Sequence, residues 1–154
     1  MLSEAEREEI TQEAARYPER RAACIEALKI VQRHRGFVAD EALAEVAALL
    51  GMSTAELDGV ATFYNQILRC PVGRHLLHLC DGVMCWMQGE PALRAHLQAQ
   101  HALRPGVTSA DGRVTLLNTP CLGLCHQAPA ALVDGEPETG LTPERLDVLL
   151  SRLP

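Results

Sequence analysis

The sequence predicts a fold of the mixed α/β (α+β) class, with helices in its N-terminal half and a small helix-covered sheet in its C-terminal half. Two observations support this class. Apolar residues recur at the helical period up to about residue 66. After Cys70 the pattern changes to short apolar runs bounded by turn residues, typical of strands, and these alternate with helical segments. We therefore expect two domains, a helical bundle over residues 1–70 and a second domain over residues 71–154.

The N-terminal half contains four predicted helices. Capping-box patterns mark the starts of the first and the fourth: Ser3 with Glu6, and Ser53 with Glu56. The second helix is expected to begin near Pro18 and to end at Gly36, and the third to end at Gly51. The third helix should bury one apolar face, formed by Leu43, Val46, Ala47 and Leu50. The fourth is expected to span the segment STAELDGVATFYNQIL.

The C-terminal half predicts the order strand, helix, strand, strand, helix. RHLLHLC is an apolar run that ends on Cys80, as a buried strand leading into a functional loop does. GEPALRAHLQAQHAL is a predicted helix with Pro91 in its first turn, and ADGRVTLLN is a turn followed by a strand. TPCLGLCHQAP is a predicted loop, and AALVDGEP a strand and turn. Thr142 is placed to cap the last helix, with Pro143 at its first position.

Composition and charge exclude several classes of function. The net charge of −6 argues against binding of nucleic acid, because phosphates are neutralised by clustered Lys and Arg. No segment approaches the roughly 18 uninterrupted apolar residues of a membrane helix, so no direct membrane insertion is expected. The acidic N-terminus lacks the features of a secretory signal, which favours a cytoplasmic location. Neither a catalytic triad nor a phosphate-binding glycine loop is present, and we assign no catalytic residue.

Four of the six cysteines form two closely spaced pairs. Cys80 and Cys85 are a C-x4-C pair, and Cys121 and Cys125 are a C-x3-C pair. Each pair follows a predicted strand. If these two strands are neighbours in one sheet, their ends bring all four thiols to the same edge. In a reducing cytoplasm such a set favours metal binding over disulfides.

The type of metal depends on the ligands and on the spacing. Four thiolates suit zinc or an iron–sulfur cluster, whereas structural zinc sites favour the shorter C-x2-C spacing. Two irons need two thiolates each, which suits the wider spacers found here. A Rieske centre would need His in two of the four positions, and the spacing of His78 and His126 does not provide this. Spacing alone therefore favours a [2Fe–2S] cluster and leaves zinc as the alternative.

Three stretches that contain or adjoin these cysteines resemble one known family. They are GVATFYNQI, PVGRHLLHLCDGVMC and SADGRVTLLNTPCLGLCHQAPAALV. They are similar to the E subunit of bacterial NADH–quinone oxidoreductase, respiratory complex I. The resemblance extends over nearly the whole chain, including residues 25–52 and the segment LTPERLDVLL near the end.

This resemblance implies a fold, a cofactor and a partner. It implies a thioredoxin-like [2Fe–2S] ferredoxin domain after the helical bundle, with the cluster held by Cys80, Cys85, Cys121 and Cys125. It also implies an electron-transfer subunit without catalytic residues of its own. The expected partner is the flavoprotein subunit that binds FMN and NADH, within the peripheral arm of complex I at the cytoplasmic face of the membrane.

Two other functions are compatible with the pattern. The homologous gamma-type subunit of an NAD-linked formate dehydrogenase, or the corresponding part of an NAD-reducing hydrogenase, shares the four cysteines and CLGLC. A zinc-stabilised adaptor or DNA-binding module would use the helices near residues 40–65. The protein's net charge argues against DNA, and visible absorption would distinguish iron from zinc.

Several residues near these motifs are expected to have structural roles. Cys24 and Cys70 are predicted to be buried thiols, and Phe63 and Tyr64 to lie in the core. His75 and His78 are expected to share one face of their strand. Five apolar residues in the cysteine spacers are expected to exclude water from the metal: Val83, Met84, Trp86, Leu122 and Leu124.

Overall fold

In the computed structural model, which describes residues 1–154, the chain divides into two units, Met1–Pro71 and Val72–Pro154. The first unit contains four α-helices: α1 Glu4–Ala14, α2 Cys24–Arg35, α3 Asp40–Leu50 and α4 Thr54–Phe63. Both predicted capping boxes are present, at Ser3 and at Ser53. Gly36 and Gly51 end α2 and α3 in the left-handed conformation, as the sequence predicts.

Two helix boundaries in this unit differ from the prediction. The second helix begins at Cys24, because Glu19 is extended and residues Arg20–Ala23 form a 3₁₀ turn while the chain reverses direction after α1. The fourth helix ends at Phe63. The next residues bond elsewhere: Leu68 accepts a hydrogen bond from Val38 N–H (2.8 Å), and its own N–H donates to Gln32 Oε1 (2.6 Å). The backbone of Leu68 therefore bonds to residues of other segments, and its hydrogen bonds are not available to extend α4.

The four helices enclose an apolar core, and one half-buried ion pair lies at its edge. All four residues predicted to face inward from α3 are buried: Leu43, Val46, Ala47 and Leu50. The Glu6 carboxylate is also buried and accepts two hydrogen bonds from the Arg35 guanidinium, at 2.5 and 2.6 Å. Paired in this way, a charged group can be tolerated beside apolar side chains.

The second unit is a five-stranded sheet with three helices. The strands are β1 His75–Cys80, β2 Val107–Thr108, β3 Val114–Thr119, β4 Ala130–Val133 and β5 Glu136–Thr139. The helices are α5 Val83–Met87, α6 Glu90–His101 and α7 Pro143–Arg152. The strand order is β2-β3-β1-β4-β5, with β1 and β3 parallel and the other neighbours antiparallel.

The predicted strands and helices of this unit are present, together with three short elements that the sequence does not indicate. β2 has two residues and β5 four, and α5 is a five-residue helix that begins in the first cysteine spacer and contains Cys85. Leu93 and Leu97 of α6 and Leu146 and Leu150 of α7 pack in the core against β1 and β3. The two helices are therefore anchored firmly by their apolar faces.

None of the helices is by itself long and apolar enough to cross a membrane. Helices α3 and α4 meet the requirements of length and composition only when taken together, and this pair is bent by 114°.

Candidate metal centre

Two neighbouring parallel strands deliver the two cysteine pairs to one edge of the sheet. Cys80 is the last residue of β1 and is paired with Thr119, the last residue of β3. Cys121 follows Thr119 by two residues. Because parallel strands end on the same side, both chain exits lie together. The predicted neighbour relation of these strands is thus confirmed.

Short helical turns position the other member of each pair. Cys85 lies in α5, which begins directly after Gly82, and the Trp86 N–H donates to Gly82 O at 2.9 Å. Cys125 begins a 3₁₀ turn over Cys125–Gln127. Beyond this turn the chain passes through a cis Ala128–Pro129 peptide and enters β4 beside β1. Both spacers therefore fold back over the edge of the sheet.

The four predicted cysteines line one cavity of about 150 Å³. The other residues around it come from the same loops: Gly82, Val83, Met84 and Pro120. Cys80 and Cys85 are buried, whereas Cys121 and Cys125 are exposed. The cavity thus has an inner wall from the first pair and an outer wall from the second. Neither Cys24 nor Cys70 contributes to it.

The thiols interact within each pair and across the cavity. Burial, followed by the hydrogen bond with Cys80, raises the pKa of Cys85 to about 11, and the charge of Cys125 acts in the same direction. The hydrogen bond with Cys121 raises the pKa of Cys125, again with a smaller effect from Cys80. The hydrogen bonds between thiols therefore lie within each pair, Cys80 with Cys85 and Cys121 with Cys125, and charge effects act between the two pairs.

Backbone groups around the cavity are placed to support thiolates. Gly123 has a φ of 75°, and its N–H donates to Cys121 Sγ at 3.4 Å. A hydrogen bond with the Ala130 backbone partly offsets the rise in the pKa of Cys85. N–H groups directed at sulfur stabilise the charged form that ligates metal. Ala130 was not indicated by the sequence, because its role depends on β4 lying beside β1.

The donor set and the size of the cavity fit a thiolate-bound metal group. Four sulfur ligands suit zinc or an iron–sulfur cluster and exclude the oxygen-preferring ions Mg²⁺ and Ca²⁺. Two hydrogen-bonded pairs of thiols around one cavity match a cluster in which each of two irons takes two cysteines. A [2Fe–2S] group could therefore be held by residues present here.

The prediction that five apolar residues of the cysteine spacers exclude water from the metal is only partly confirmed. Leu122 and Leu124 are half-buried and pack beside Cys80 and Cys85. Val83, Met84 and Trp86 are exposed, because α5 turns only its Cys85 face toward the interior. Val83 and Met84 still line the edge of the cavity, whereas Trp86 does not contribute to its lining.

Comparison with known proteins identifies the family of the chain. The model of the thioredoxin-like [2Fe–2S] ferredoxins matches residues 10–154. The chain belongs to this family. Within the thioredoxin-like [2Fe–2S] ferredoxins, it is 48% identical over 151 residues to the E subunit of NADH-quinone oxidoreductase from Escherichia coli (strain K12), covering 98% of this chain and 91% of the relative. It is 44% identical to the corresponding E subunit from Pseudomonas aeruginosa, covering 97% of this chain and 90% of the relative.

One similar solved structure is an NAD⁺-reducing [NiFe]-hydrogenase in its air-oxidised state. Its TM-score is 0.69 at 34% sequence identity, and the match covers 85% of this chain but only 22% of the hydrogenase chain. The expected thioredoxin-like fold and the resemblance to the E subunit of complex I are therefore confirmed. This member of the thioredoxin-like [2Fe–2S] ferredoxins is more similar in sequence to these two E-subunit relatives than to the hydrogenase.

Three expectations about residues outside the cavity are wrong. Phe63 and Tyr64 are exposed, with ring centroids 5.2 Å apart in a T-shaped pair, because Phe63 lies on the face of α4 opposite the buried Ala61. Cys70 is exposed rather than buried. His75 and His78 lie on opposite faces of β1, since three positions separate them and strand side chains alternate.

Each of the two histidines has a different environment. His78 is buried in the sheet, whereas His75 lies near the surface with its Nδ1 2.7 Å from Asp134 Oδ2. Cys24, the remaining cysteine, is half-buried and packs against the core of the helical unit, close to the prediction.

Proposed function

We propose that Cys80, Cys85, Cys121 and Cys125 hold one [2Fe–2S] cluster and that the chain is the electron-transferring E subunit of an NADH–quinone oxidoreductase. The observation that carries this proposal is that all four thiols line one cavity in a member of the [2Fe–2S] family. When bound, such a cluster takes up and releases one electron at a time, whereas NADH delivers a hydride to its acceptor.

The pairing of the thiols supports a specific division of the ligands. We assign Cys80 and Cys85 to one iron, and Cys121 and Cys125 to the other, because the hydrogen bonds between thiols lie within these pairs. The first pair is buried and the second is exposed. The two sides of the cavity therefore differ in access to solvent, and the exposed pair is the side from which another protein could approach.

The residues of the chain supply ligands, hydrogen bonds and a fixed frame. The Gly123 N–H contacts Cys121 Sγ, and the backbone of Ala130 contacts Cys85. Such donors stabilise negative charge on sulfur. No side chain near the cavity forms an acid–base or nucleophilic set, so we assign it no catalytic residue. The NADH-oxidising chemistry would be carried out by another subunit.

The partner that best fits this role is the flavoprotein subunit that binds FMN and NADH. Electron exchange with a flavin requires close approach to the exposed side of the cavity. Directly beside that side, α5 presents Val83, Trp86 and Met87 to solvent. An apolar group of this kind is typical of a protein–protein interface, and the aromatic residue is of a type that dominates such interfaces. We propose that this face contacts the flavoprotein.

The wider assembly and the domains follow from the same proposal. The chain would belong to the peripheral arm of complex I, on the cytoplasmic side of a membrane-bound complex. We propose residues 1–70 as a helical bundle domain and residues 71–154 as the cluster-binding domain. This division is supported by the two units, Met1–Pro71 and Val72–Pro154.

The related alternative is a gamma-type subunit of an NAD-linked formate dehydrogenase or NAD-reducing hydrogenase. The 34% identity to a chain of an NAD⁺-reducing hydrogenase supports this class as the second candidate. The 48% identity to a complex I relative over 98% of the chain favours complex I. A zinc-stabilised adaptor is disfavoured by membership in a [2Fe–2S] family.

The cluster is tested by spectroscopy of the full chain purified without oxygen. We expect visible absorption, iron and sulfide in equal amounts, and an S = 1/2 paramagnetic resonance signal after reduction. Replacing any one of the four proposed ligands by serine should remove or alter this signal. Cys24→Ser and Cys70→Ser are matched controls and should keep it unchanged.

The opposite results would reject the proposal. A colourless protein with one zinc ion per chain would support the zinc alternative. A normal signal in Cys85→Ser or Cys121→Ser would show that the ligands are assigned wrongly.

A further inference from the structure

Two histidines and an aspartate of the second unit lie close together. None of them lines the cysteine cavity. His96 and His101 belong to α6, and Asp147 belongs to α7. Both imidazole Nε2 atoms lie close to the same carboxylate oxygen, Asp147 Oδ1, at 2.7 and 2.6 Å. The three potential ligand atoms all lie within 4.8 Å of one another. One metal ion could therefore contact all three side chains.

The helices that carry these residues are held in place independently of the cluster. Leu93 and Leu97 of α6 and Leu146 and Leu150 of α7 pack together in the core of the second unit. The histidine side chains are 20% and 28% exposed, which restricts their motion and leaves an opening to solvent. Sites on packed helices hold their ligands more precisely than sites on loops.

Ion pairing alone explains this cluster poorly. One carboxylate can neutralise one imidazolium, yet two rings with centroids 5.8 Å apart share Asp147. If both rings were protonated, two like charges would lie side by side at the Asp147 carboxylate, and the other nearby acid, Glu144, interacts with His96 through charge only. A divalent cation bound by two neutral imidazoles and one carboxylate avoids this repulsion. Imidazole and carboxylate are also a combination that zinc accepts.

Zinc binding requires the three ligand atoms to adopt tetrahedral spacing. With ligand distances of about 2.0–2.2 Å, adjacent ligand atoms in a tetrahedral site are separated by about 3.3 Å. The Asp147 oxygen lies closer than this to each nitrogen, at 2.7 and 2.6 Å, and all three atoms lie within 4.8 Å of one another. The exposed carboxylate would rotate away from the two nitrogens to make room for the ion, and three protein ligands leave a fourth position for water.

Two features of the surroundings favour positive charge here. His101 is the last residue of α6, and the C-terminal end of a helix attracts cations. Glu144 lies one turn before Asp147. Hydrogen bonds with its own backbone and with Thr142 lower the pKa of Glu144, and the charge of His96 adds to this effect, so the two groups are within electrostatic reach.

We propose that His96, His101 and Asp147 form a divalent transition-metal site, best suited to Zn²⁺, that links the C-terminal end of α6 to α7. The site is separate from the four cysteines and uses nitrogen and oxygen ligands only. Bound metal would stabilise the second unit, because it binds the folded state and not the separated helices.

The test uses the full chain with its iron–sulfur cluster intact, so that the four cysteines are already occupied. Zn²⁺ is titrated by calorimetry, and the zinc X-ray absorption edge reports the ligand atoms. We expect one Zn²⁺ per chain with nitrogen and oxygen ligands. Removing a direct ligand should weaken binding by ~10-fold or more in each of the variants His96→Gln, His101→Gln and Asp147→Asn.

The matched control is His34→Gln. His34 also faces a carboxylate, with its Nε2 3.0 Å from Glu9 Oε2, but it has no second histidine beside it. This variant should bind Zn²⁺ as the unchanged protein does. The visible spectrum of the cluster checks that every variant is folded.

Two results would overturn the proposal. One is equal Zn²⁺ affinity in the unchanged protein and in all three ligand variants. The other is an absorption edge that shows sulfur ligands, which would mean that zinc binds at cysteines. The first result does not depend on the proposed electron-transfer role, whereas the second is decisive only in protein whose visible spectrum shows that the cluster occupies the four cysteines.

Discussion

Cys80 and Thr119 are paired at the ends of the two parallel strands β1 and β3, and the chain beyond each residue stays in contact with the other. The Asp81 N–H donates to Thr119 O at 3.0 Å. One residue later, Gly82 approaches Pro120 so closely that a Cβ atom would lie 2.4 Å from the Pro120 carbonyl oxygen. The two cysteine loops are therefore held together by backbone contacts.

Gly82→Ala should separate these loops. A Cβ atom cannot lie 2.4 Å from a backbone oxygen, so the backbone of one loop must move. We expect the iron content to fall and the free energy of unfolding to decrease by about 1–3 kcal/mol, as for other overpacked sites. Iron analysis and urea unfolding measure both effects.

Gly59→Ala is the matched control for this change. Gly59 lies inside α4 with open space around it. Alanine is favoured over glycine in a helix by about 0.5–1 kcal/mol, so this variant should be slightly more stable and keep its iron. Full iron content and unchanged unfolding in Gly82→Ala would contradict the close approach of the loops.

The free thiols should differ strongly in reactivity once iron is removed. Burial and the contact with Cys80 raise the pKa of Cys85 to about 11, so only about one molecule in a thousand carries the thiolate at pH 8. Cys70 is exposed. We expect iodoacetamide to modify Cys85 on the order of a hundredfold more slowly than Cys70.

Mass spectrometry of timed samples measures these rates at each cysteine. The difference should narrow as the pH rises toward 11, because the thiolate fraction of Cys85 then increases. Equal rates for the two residues at pH 8 would mean that Cys85 is neither buried nor affected by its neighbour. Rates at the half-buried Cys24 provide an internal reference.

The ion pair between the buried Glu6 and the exposed Arg35 should make the free energy of unfolding depend on pH in the acid range. Hydrogen bonds from Arg35 lower the pKa of Glu6 from 4.5 to about 2, with burial acting in the opposite direction and Ser3 adding to the decrease. A lowered folded-state pKa stabilises the protein above the unfolded value of 4.5. The stabilisation is on the order of 3 kcal/mol, and it is lost as the pH falls from 4.5 toward 2.

Glu6→Gln removes this contribution and keeps the shape of the side chain. At pH 7 we expect the variant to unfold with about 3 kcal/mol less free energy than the unchanged protein. The difference between the two should stay constant down to about pH 4.5 and shrink below it. Glu4→Gln, in the same helical turn but exposed, should change stability by less than about 1 kcal/mol. A constant difference at every pH would rule out the lowered pKa.

The parts of the fold that the sequence predicts well are those fixed by local interactions. The capping boxes at Ser3 and Ser53 and the glycine stops need only neighbouring residues, and all are present. The end of α4 and the strand β5 depend on distant partners. Glu136–Thr139 has no alternating apolar pattern and is a strand only because it pairs with β4.

In the candidate site, too, some features could be predicted from the sequence and others depend on tertiary structure. Two cysteine pairs after two strands were enough to predict that Cys80, Cys85, Cys121 and Cys125 come together, since parallel neighbours end at one edge. The exposure of the second pair could not be predicted, because it depends on how the two spacers cover the sheet. The outward direction of Trp86 likewise depends on α5, a helix of five residues with too little sequence to show a face.

Trp86→Ala should weaken binding of the proposed flavoprotein partner without harming the chain itself. The side chain is 60% exposed and contributes little to the core, but a large aromatic residue at the centre of an apolar patch is typical of an interface hot spot. Truncating such a residue costs about 2 kcal/mol or more, so we expect affinity for the purified flavoprotein subunit to fall at least about tenfold. The visible spectrum of the cluster should be unchanged.

Val148→Ala, on the exposed face of α7, is the control and should bind normally. If Val148→Ala weakened binding and Trp86→Ala did not, the partner would contact α7 and the proposed interface would be wrong.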